Sequence, residues 1–205
     1  MLLQVHPDNP NPRNMKMIIE CLKDGGVIIY PTDTVYALGC DITQHKAIER
    51  VARIKQVDPK KAQFSFICYD LSHLSDYAKS VDTPIFRMLK KALPGPYTFI
   101  LNASKQVPKL LKTKKDTVGI RVPDNNICRT IVNDLGNPLM STTLPIDAYV
   151  EEYTDPEVIY EKFGSQVDIV VDGGPGGIAF STVIDCTGDT PELIREGIGS
   201  FEAIT

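Results

Sequence analysis

Short apolar runs alternate along the chain with segments that have the periodicity of a helix. A β-branched run over residues 27–30 is stopped by Pro31. The apolar residues at positions 47, 48, 51, 52 and 54 then recur at the spacing of one helix face. Such alternation is typical of an α/β domain and differs from the pattern of a helical bundle or a β-sandwich.

The same patterning predicts the later elements. Strands are expected at 64–68, 97–101, 117–122, 139–143, 167–171, 182–185 and 193–196. Three further helices are expected. One begins at Thr83, which we place as its cap, one spans residues 127–135, and one begins at Asp155. Pro84 and Gly136 suit the first turn and the end of a helix. With no repeat or linker in 205 residues, we expect one domain over 1–205, with core motifs at about 13–200.

Composition favours an ordinary soluble protein. The chain is 42% hydrophobic and 23% charged, with a mean hydropathy of -0.09. No apolar run approaches the roughly 18 residues of a membrane helix, and the polar, Pro-rich start differs from a signal peptide. We therefore expect a cytoplasmic protein with no membrane partner.

The cysteines and histidines give no metal-binding pattern. The five cysteines lie at least 19 residues apart, and the three histidines are not spaced as ligands on one helix. No metal site and no tightly bound cofactor are expected. A Ser or Cys nucleophile motif is also missing, so an enzyme built from this chain would act by positioning reactants and neutralising charge.

Charge is unevenly distributed. The formal net charge is -4, yet residues 53–61 hold four basic side chains against one acid, and residues 105–121 hold six against one. From 147 to 172, eight acidic residues face a single lysine. A local anionic ligand and a solvated lysine-rich surface explain either basic island about equally well.

The segment YPTDTVYALG, residues 30–39, follows an apolar strand. Polar residues just after a strand lie where open α/β sheets bind ligands. The hydroxyls of Thr32, Thr34 and Tyr36 are therefore candidates for binding a small polar substrate. A turn in which the threonines satisfy local backbone groups is the other interpretation, and composition alone favours it.

Two arginines and a lysine are candidate anion ligands. Arg121 stands inside a predicted strand, where an unpaired charge is expensive to bury. Its partner is an internal carboxylate or a ligand phosphate or carboxylate, with equal weight on the sequence alone. Arg195 stands at a strand end, and Lys55 at the end of a predicted helix.

The glycine-rich segment 172–182 lacks the ending of a P-loop, and no helix pattern follows it. It is interpreted as a loop that leads to Ser181 and Thr182 at the start of a strand, although the sequence alone favours a plain turn.

In this order, seven segments resemble the YrdC-like family of threonylcarbamoyl-AMP synthases, and especially its YciO branch. They are GGVIIYPTDTVYALGCD, the helix ending RIK, LPGPYTFIL, TVGIRVPDN, PLMSTTL, GGIAFSTVID and IREGIG, which together span residues 20–199. The resemblance implies a twisted mixed sheet flanked by helices, with a large concave and positively charged cleft. It also implies synthesis of threonylcarbamoyl-AMP from L-threonine, bicarbonate and ATP with Mg²⁺, for modification of tRNA.

The chain departs from the synthase pattern at three places. The K-x-R motif keeps Lys55 but has Val57 where the arginine is expected, and the S-x-N motif ends in Thr143. The histidine expected in the following strand is missing from FSFIC, where Ser65 and Cys68 are the polar residues. Loss of a phosphate-facing arginine weakens transition-state stabilisation, because lysine does not reproduce its bidentate geometry.

By resemblance, the motifs assign roles to individual residues. Lys55 and Arg121 are the expected catalytic groups. The expected threonine ligands are Thr32, Thr34, Tyr36, Arg121 and Ser181. The expected ATP ligands are Lys55, Thr117, Ser141, Thr143 and Arg195, with Lys61 as a substitute for the missing arginine. A rival function is binding of double-stranded RNA or tRNA without catalysis, with contacts through Lys105, Lys109, Lys112, Lys114 and Lys115.

Overall fold

The computed structural model describes residues 1–58, 62, 64–111, 115–146 and 150–205. Its strands are β1 (Leu2–Gln4), β2 (Ile28–Tyr30), β3 (Ala37–Asp41), β4 (Ser65–Ile67), β5 (Tyr97–Asn102), β6 (Thr117–Arg121), β7 (Leu139–Thr143), β8 (Ile169–Asp172), β9 (Thr182–Asp185) and β10 (Glu192–Arg195). Its α-helices are α1 (Pro12–Lys23), α2 (His45–Lys55), α3 (Leu74–Tyr77), α4 (Thr83–Ala92), α5 (Asn126–Leu135) and α6 (Pro156–Phe163).

In the described part of the chain, the strands form one mixed sheet in the order β1-β8-β2-β3-β7-β4-β6-β5-β9-β10. The sheet contains parallel pairs such as β4 with β6 and antiparallel pairs such as β3 with β7. The predicted α/β class, with a mixed sheet flanked by helices, is therefore confirmed.

Successive side chains point to opposite faces of the sheet, which divides the apolar residues into two clusters. On one face, Ile28 and Tyr30 pack with residues of α1 and α5. On the other face, Ile29 packs in a larger cluster that includes residues of α2, α4 and α6. The first cluster draws on β2, β3, β4, β7 and β8, and among the described residues none of its members comes from β5, β6, β9 or β10. Helices thus cover only one half of that face.

Helix boundaries follow the expected local chemistry, with one correction. The side chain of Asn125 accepts the backbone N–H of Cys128 at the start of α5. Gly136 ends the helix with a φ of +83°, which glycine adopts without steric penalty. Thr83 was expected to cap α4, but it is the first helical residue and Asp82 takes the capping position.

Some elements of the fold were not predicted from the sequence. The patterns missed β1, α1 and α3, and the polar segment 30–39 ends in the strand β3, which they did not predict. Over the residues described, no helix combines the length and hydrophobicity needed to cross a bilayer.

The core position of Phe66 gives a stability prediction. Its side chain is 1% exposed in β4 and makes an edge contact with Tyr77 at 5.5 Å between ring centroids. Phe66→Ala should lower the free energy of unfolding by about 3–5 kcal/mol, because it removes buried apolar area and leaves a cavity. Urea denaturation measures this loss. The matched control Phe86→Ala, at a ring that is 38% exposed, should lose much less; equal losses would contradict the core position of Phe66.

Candidate functional site

The uncovered part of the sheet face carries small and polar side chains, and it includes the ends of β4 and β7 that lie away from Ile67 and Leu139 of the first cluster. Ser65 of β4 lies beside Gly119 of β6 on one side and beside Ser141 of β7 on the other. A Cβ at position 119 would lie 3.3 Å from the Ser65 hydroxyl, so glycine keeps this floor open. The small side chains thus leave a concave surface over β4, β6 and β7.

A cavity of about 180 Å³ lies over this floor. It is smaller than the roughly 300–1,000 Å³ of pockets for drug-sized ligands, so it suits a ligand of few atoms. Its apolar wall includes Val35, Ala37 and Val183. Its polar lining consists of Ser65, Thr98, Thr117, Arg121, Ser141, Thr142, Thr143, Ser181 and Arg195.

Arg121 is held at the cavity by a buried ion pair. Its Nη2 donates to Asp33 Oδ1 at 2.5 Å, and the two side chains are only 10% and 9% exposed. The other carboxylate oxygen of Asp33 accepts the backbone N–H of Asp124 at 3.0 Å. The Nε of Arg121 is buried and has no hydrogen-bond partner in the described part of the chain. The internal-carboxylate alternative for Arg121 is thus present, together with a donor left unused.

The threonines of segment 30–39 serve local structure and Arg121. The Thr32 hydroxyl donates to Val35 O at 2.8 Å and accepts the N–H of Thr34 at 3.0 Å, as the turn interpretation predicts. The Thr34 hydroxyl accepts from Arg121 Nη2 at 2.7 Å. Neither side chain is part of the cavity lining. Both therefore position the arginine from behind the wall.

Tyr36 fixes the glycine-rich loop. Its buried hydroxyl donates to Gly174 O at 2.7 Å and accepts from Gly173 N at 3.2 Å. Burial raises the pKa of the phenol to about 12, so the donor stays protonated. Gly177 donates to Thr34 O at 2.8 Å, where an added Cβ would collide with that oxygen at 2.6 Å. The loop is thereby laid against segment 30–39 before it delivers Ser181.

Ser181, Arg195 and Thr98 meet at one end of the cavity. Arg195 donates to Ser181 O at 2.8 Å through Nη2 and at 3.2 Å through Nε, and its guanidinium lies 5.3 Å from the Phe180 ring centroid. The hydroxyls of Ser181 and Thr98 are 3.0 Å apart. Burial, and then the nearby charge of Arg121, lower the pKa of Arg195. Because Asp33 balances the charge of Arg121, and the hydrogen-bond partners of Arg195 in the described part of the chain are oxygens of Ser181, this end of the cavity suits a singly charged anion.

Lys55 reaches the opposite rim of the site. Its Nζ donates to Thr143 Oγ1 at 2.8 Å and to Leu144 O at 2.9 Å, and partial burial lowers its pKa. Ser141 is fixed in turn by Tyr30, whose buried hydroxyl donates to Ser141 Oγ at 2.6 Å. Lys55 is therefore tied to the strand that supplies Ser141 and Thr143 to the lining.

The predicted site residues divide into three groups. Thr117, Arg121, Ser141, Thr143, Ser181 and Arg195 line the cavity, and Lys55 adjoins it. Thr32, Thr34 and Tyr36 lie behind it. Lys105, Lys109 and Lys115 are exposed, whereas Lys61, Lys112 and Lys114 lie outside the described residues.

Sequence reasoning did not single out two residues of this site. Asp33 pairs with Arg121, which lies 88 positions away, and no local sequence pattern predicts a contact over that distance. Thr98 did leave a signal, because it alternates with the buried Phe99 in a predicted strand and so points to the other face.

The lining limits the chemistry available. Among the described residues that line the cavity there is no histidine, cysteine or carboxylate. The described lining therefore offers two guanidinium groups and several hydroxyls, without a histidine or carboxylate in the lining to activate a hydroxyl. The arrangement can orient an anionic reactant and neutralise its charge.

Comparisons with known proteins place the chain among relatives of similar sequence and length. The family model Sua5_yciO_yrdC, described as Telomere recombination, matches residues 20–197. YciO of Escherichia coli (strain K12) is 45% identical over 97% of this chain and 96% of its own. A threonylcarbamoyl-AMP synthase of Vibrio vulnificus (strain YJ016) is 32% identical over 90% of this chain and 98% of its own.

Solved structures share the fold over nearly the whole chain. The crystal structure of E. coli YciO has a TM-score of 0.92 at 43% identity and covers 100% of this chain and 99% of that one. P. abyssi Sua5 complexed with L-threonine has a TM-score of 0.85 at 24% identity, and the match covers 96% of this chain and 57% of that one. By its sequence and by the fold that carries this cavity, the chain belongs to the Sua5, YciO and YrdC family.

Proposed function

We propose that the cavity and its rim bind L-threonine and ATP for a reaction of the threonylcarbamoyl-AMP synthase type. In such a reaction threonine, bicarbonate and ATP with Mg²⁺ give threonylcarbamoyl-AMP and pyrophosphate. The observation that carries the proposal is the convergence of Arg121 and Arg195 on a cavity of about 180 Å³ lined by hydroxyls. A relative 32% identical is named for this activity.

Because the cavity is small, threonine and ATP would bind at different places in the site. The cavity suits the amino acid, whose carboxylate would lie near the arginines and whose side chain would meet the Thr98 and Ser181 hydroxyls. The nucleotide is too large for it and would extend toward the rim at Lys55 and Thr143. The threonine amino group would combine with bicarbonate to give a carbamate, with loss of water. A carbamate oxygen would then attack the α-phosphate over the floor formed by β4, β6 and β7, with pyrophosphate as the leaving group.

Threonine-dependent release of pyrophosphate from ATP and bicarbonate tests the proposal, and Lys55→Ala tests the rim. Removing a charge-assisted donor should weaken ATP binding by about tenfold to a hundredfold in calorimetry. Lys46→Ala is the matched control, since Lys46 is exposed on the same helix. Equal ATP affinities for both variants would mean that Lys55 only ties α2 to β7, and no pyrophosphate above background would overturn the synthase proposal.

The departures from the synthase motifs predict a gain of function. Val57, 36% exposed just beyond α2, and Thr143, in the lining, stand where the synthases carry arginine and asparagine. Val57→Arg with Thr143→Asn should raise pyrophosphate release about tenfold or more with little change in ATP affinity, because groups aimed at developing phosphate charge act in the transition state. The single variants serve as controls. Unchanged turnover in a double variant that binds both ligands would show a cleft shaped for another reaction.

Binding of double-stranded RNA is a second candidate, favoured by the exposure of Lys105, Lys109 and Lys115 on one segment between β5 and β6. Lys105→Gln with Lys109→Gln should weaken binding of a duplex RNA and flatten its salt dependence, since each phosphate contact releases counterions. Filter binding over a range of salt measures both effects, with Lys46→Gln as the control. Binding that is insensitive to salt and to these lysines would exclude this surface.

A further inference from the structure

A second concave site lies away from the cavity, between α4 and the first turns of α5. This groove, the Phe86 groove, has a volume of about 360 Å³ and is bordered by Leu71, Phe86, Lys90, Pro94, Val122 and Arg129. It shares no lining residue with the cavity described above. The groove can therefore be altered at residues that do not line the cavity.

Flat aromatic surface is exposed at this groove. Phe86 is 38% exposed in its wall, and Tyr69 beside it is 43% exposed. The Arg129 guanidinium lies 4.8 Å from the Tyr69 ring centroid, and its Nε donates to Tyr69 O at 3.2 Å. Within the described part of the chain, these contacts hold the guanidinium in place while its terminal nitrogens donate no hydrogen bond.

The charge around the groove is basic in an acidic chain. Arg87, Lys90 and Lys91 are exposed on α4, which contains no acidic residue. Asp70 is the carboxylate in the lining, and its Oδ1 already accepts the backbone N–H of Ser72 at 2.8 Å. With a formal net charge of -4 overall, such a concentration of cations attracts anions at this place and not generally over the surface.

We propose that the Phe86 groove binds a nucleotide unit, with the base against the Phe86 ring and a phosphate between Lys90 and Arg129. Aromatic rings that receive a base, combined with cations that follow the phosphates, are how proteins hold single-stranded nucleic acid. A single-stranded RNA and a free nucleotide present the same chemistry, so the ligand class is a nucleoside phosphate.

Fluorescence anisotropy with a labelled ten-nucleotide oligouridylate, together with calorimetry with uridine monophosphate, tests the groove. Phe86→Ala should weaken binding by about fivefold to a hundredfold, as loss of one stacked base does. Lys90→Gln should weaken it and reduce its salt dependence. Two matched controls should change affinity less than about twofold: Tyr160→Ala, at an exposed tyrosine on α6, and Lys91→Gln, at the next position on α4 outside the lining.

The outcomes separate the sources of the ligand and the two sites. Tight binding of the oligouridylate but weak binding of the monophosphate indicates a strand, and equal binding indicates a free nucleotide; both support the groove when Phe86→Ala and Lys90→Gln weaken them. Lys55→Ala should leave this binding unchanged, so failure of the cavity proposal does not affect it. Binding of neither probe, or equal affinity in the groove and control variants, overturns the inference.

Discussion

The ion pair between Arg121 and Asp33 is the interaction on which the site depends. Burying either charge alone would be expensive, and removal of one partner from a buried pair typically costs about 3–5 kcal/mol. The pair joins β6 to the turn after β2 and, through the second oxygen of Asp33, to the chain that follows Arg121. The hydroxyls of Thr32 and Thr34 accept further hydrogen bonds from the same Nη2 of Arg121. A cation is thus held rigidly at the cavity, and the turn is held rigidly by the cation.

The unequal covering of the sheet explains why the site lies where it does. The helices α1 and α5 pack against the strands on one side of the face, and the apolar residues there require that cover. On the other side Ser65, Gly119 and Ser141 present too little apolar surface to require a helix. The glycine-rich loop then borders the open region, because Tyr36 and Thr34 hold its backbone.

The sequence predicted the strands and helices well where a β-branched run or a helix terminator was strong, as before Pro31 and at Gly136. For segment 30–39 the sequence did not reveal which side chains face the cavity, because the direction of each side chain depends on how the strand pairs with its neighbours. Within this segment Val35 and Ala37 face the cavity and Tyr36 faces the opposite cluster. Which of two successive side chains faces the cavity depends on how β3 pairs with β2 and β7, and this pairing involves residues far apart in the chain. The partner of Arg121 was undetermined for the same reason.

Charge balance limits how the proposed reactants can share the site. Arg121 is already neutralised by Asp33, which leaves Arg195 as the cation of the lining without a carboxylate partner among the described residues. One net positive charge matches an amino-acid carboxylate, but it falls well short of a triphosphate. The phosphates must then be neutralised by Mg²⁺ and by the rim near Lys55, where the chain has Val57 in place of the synthase arginine. On the proposed function, the departure therefore affects phosphate charge and leaves the amino-acid cavity intact, so threonine recognition and adenylate chemistry can diverge separately in this fold.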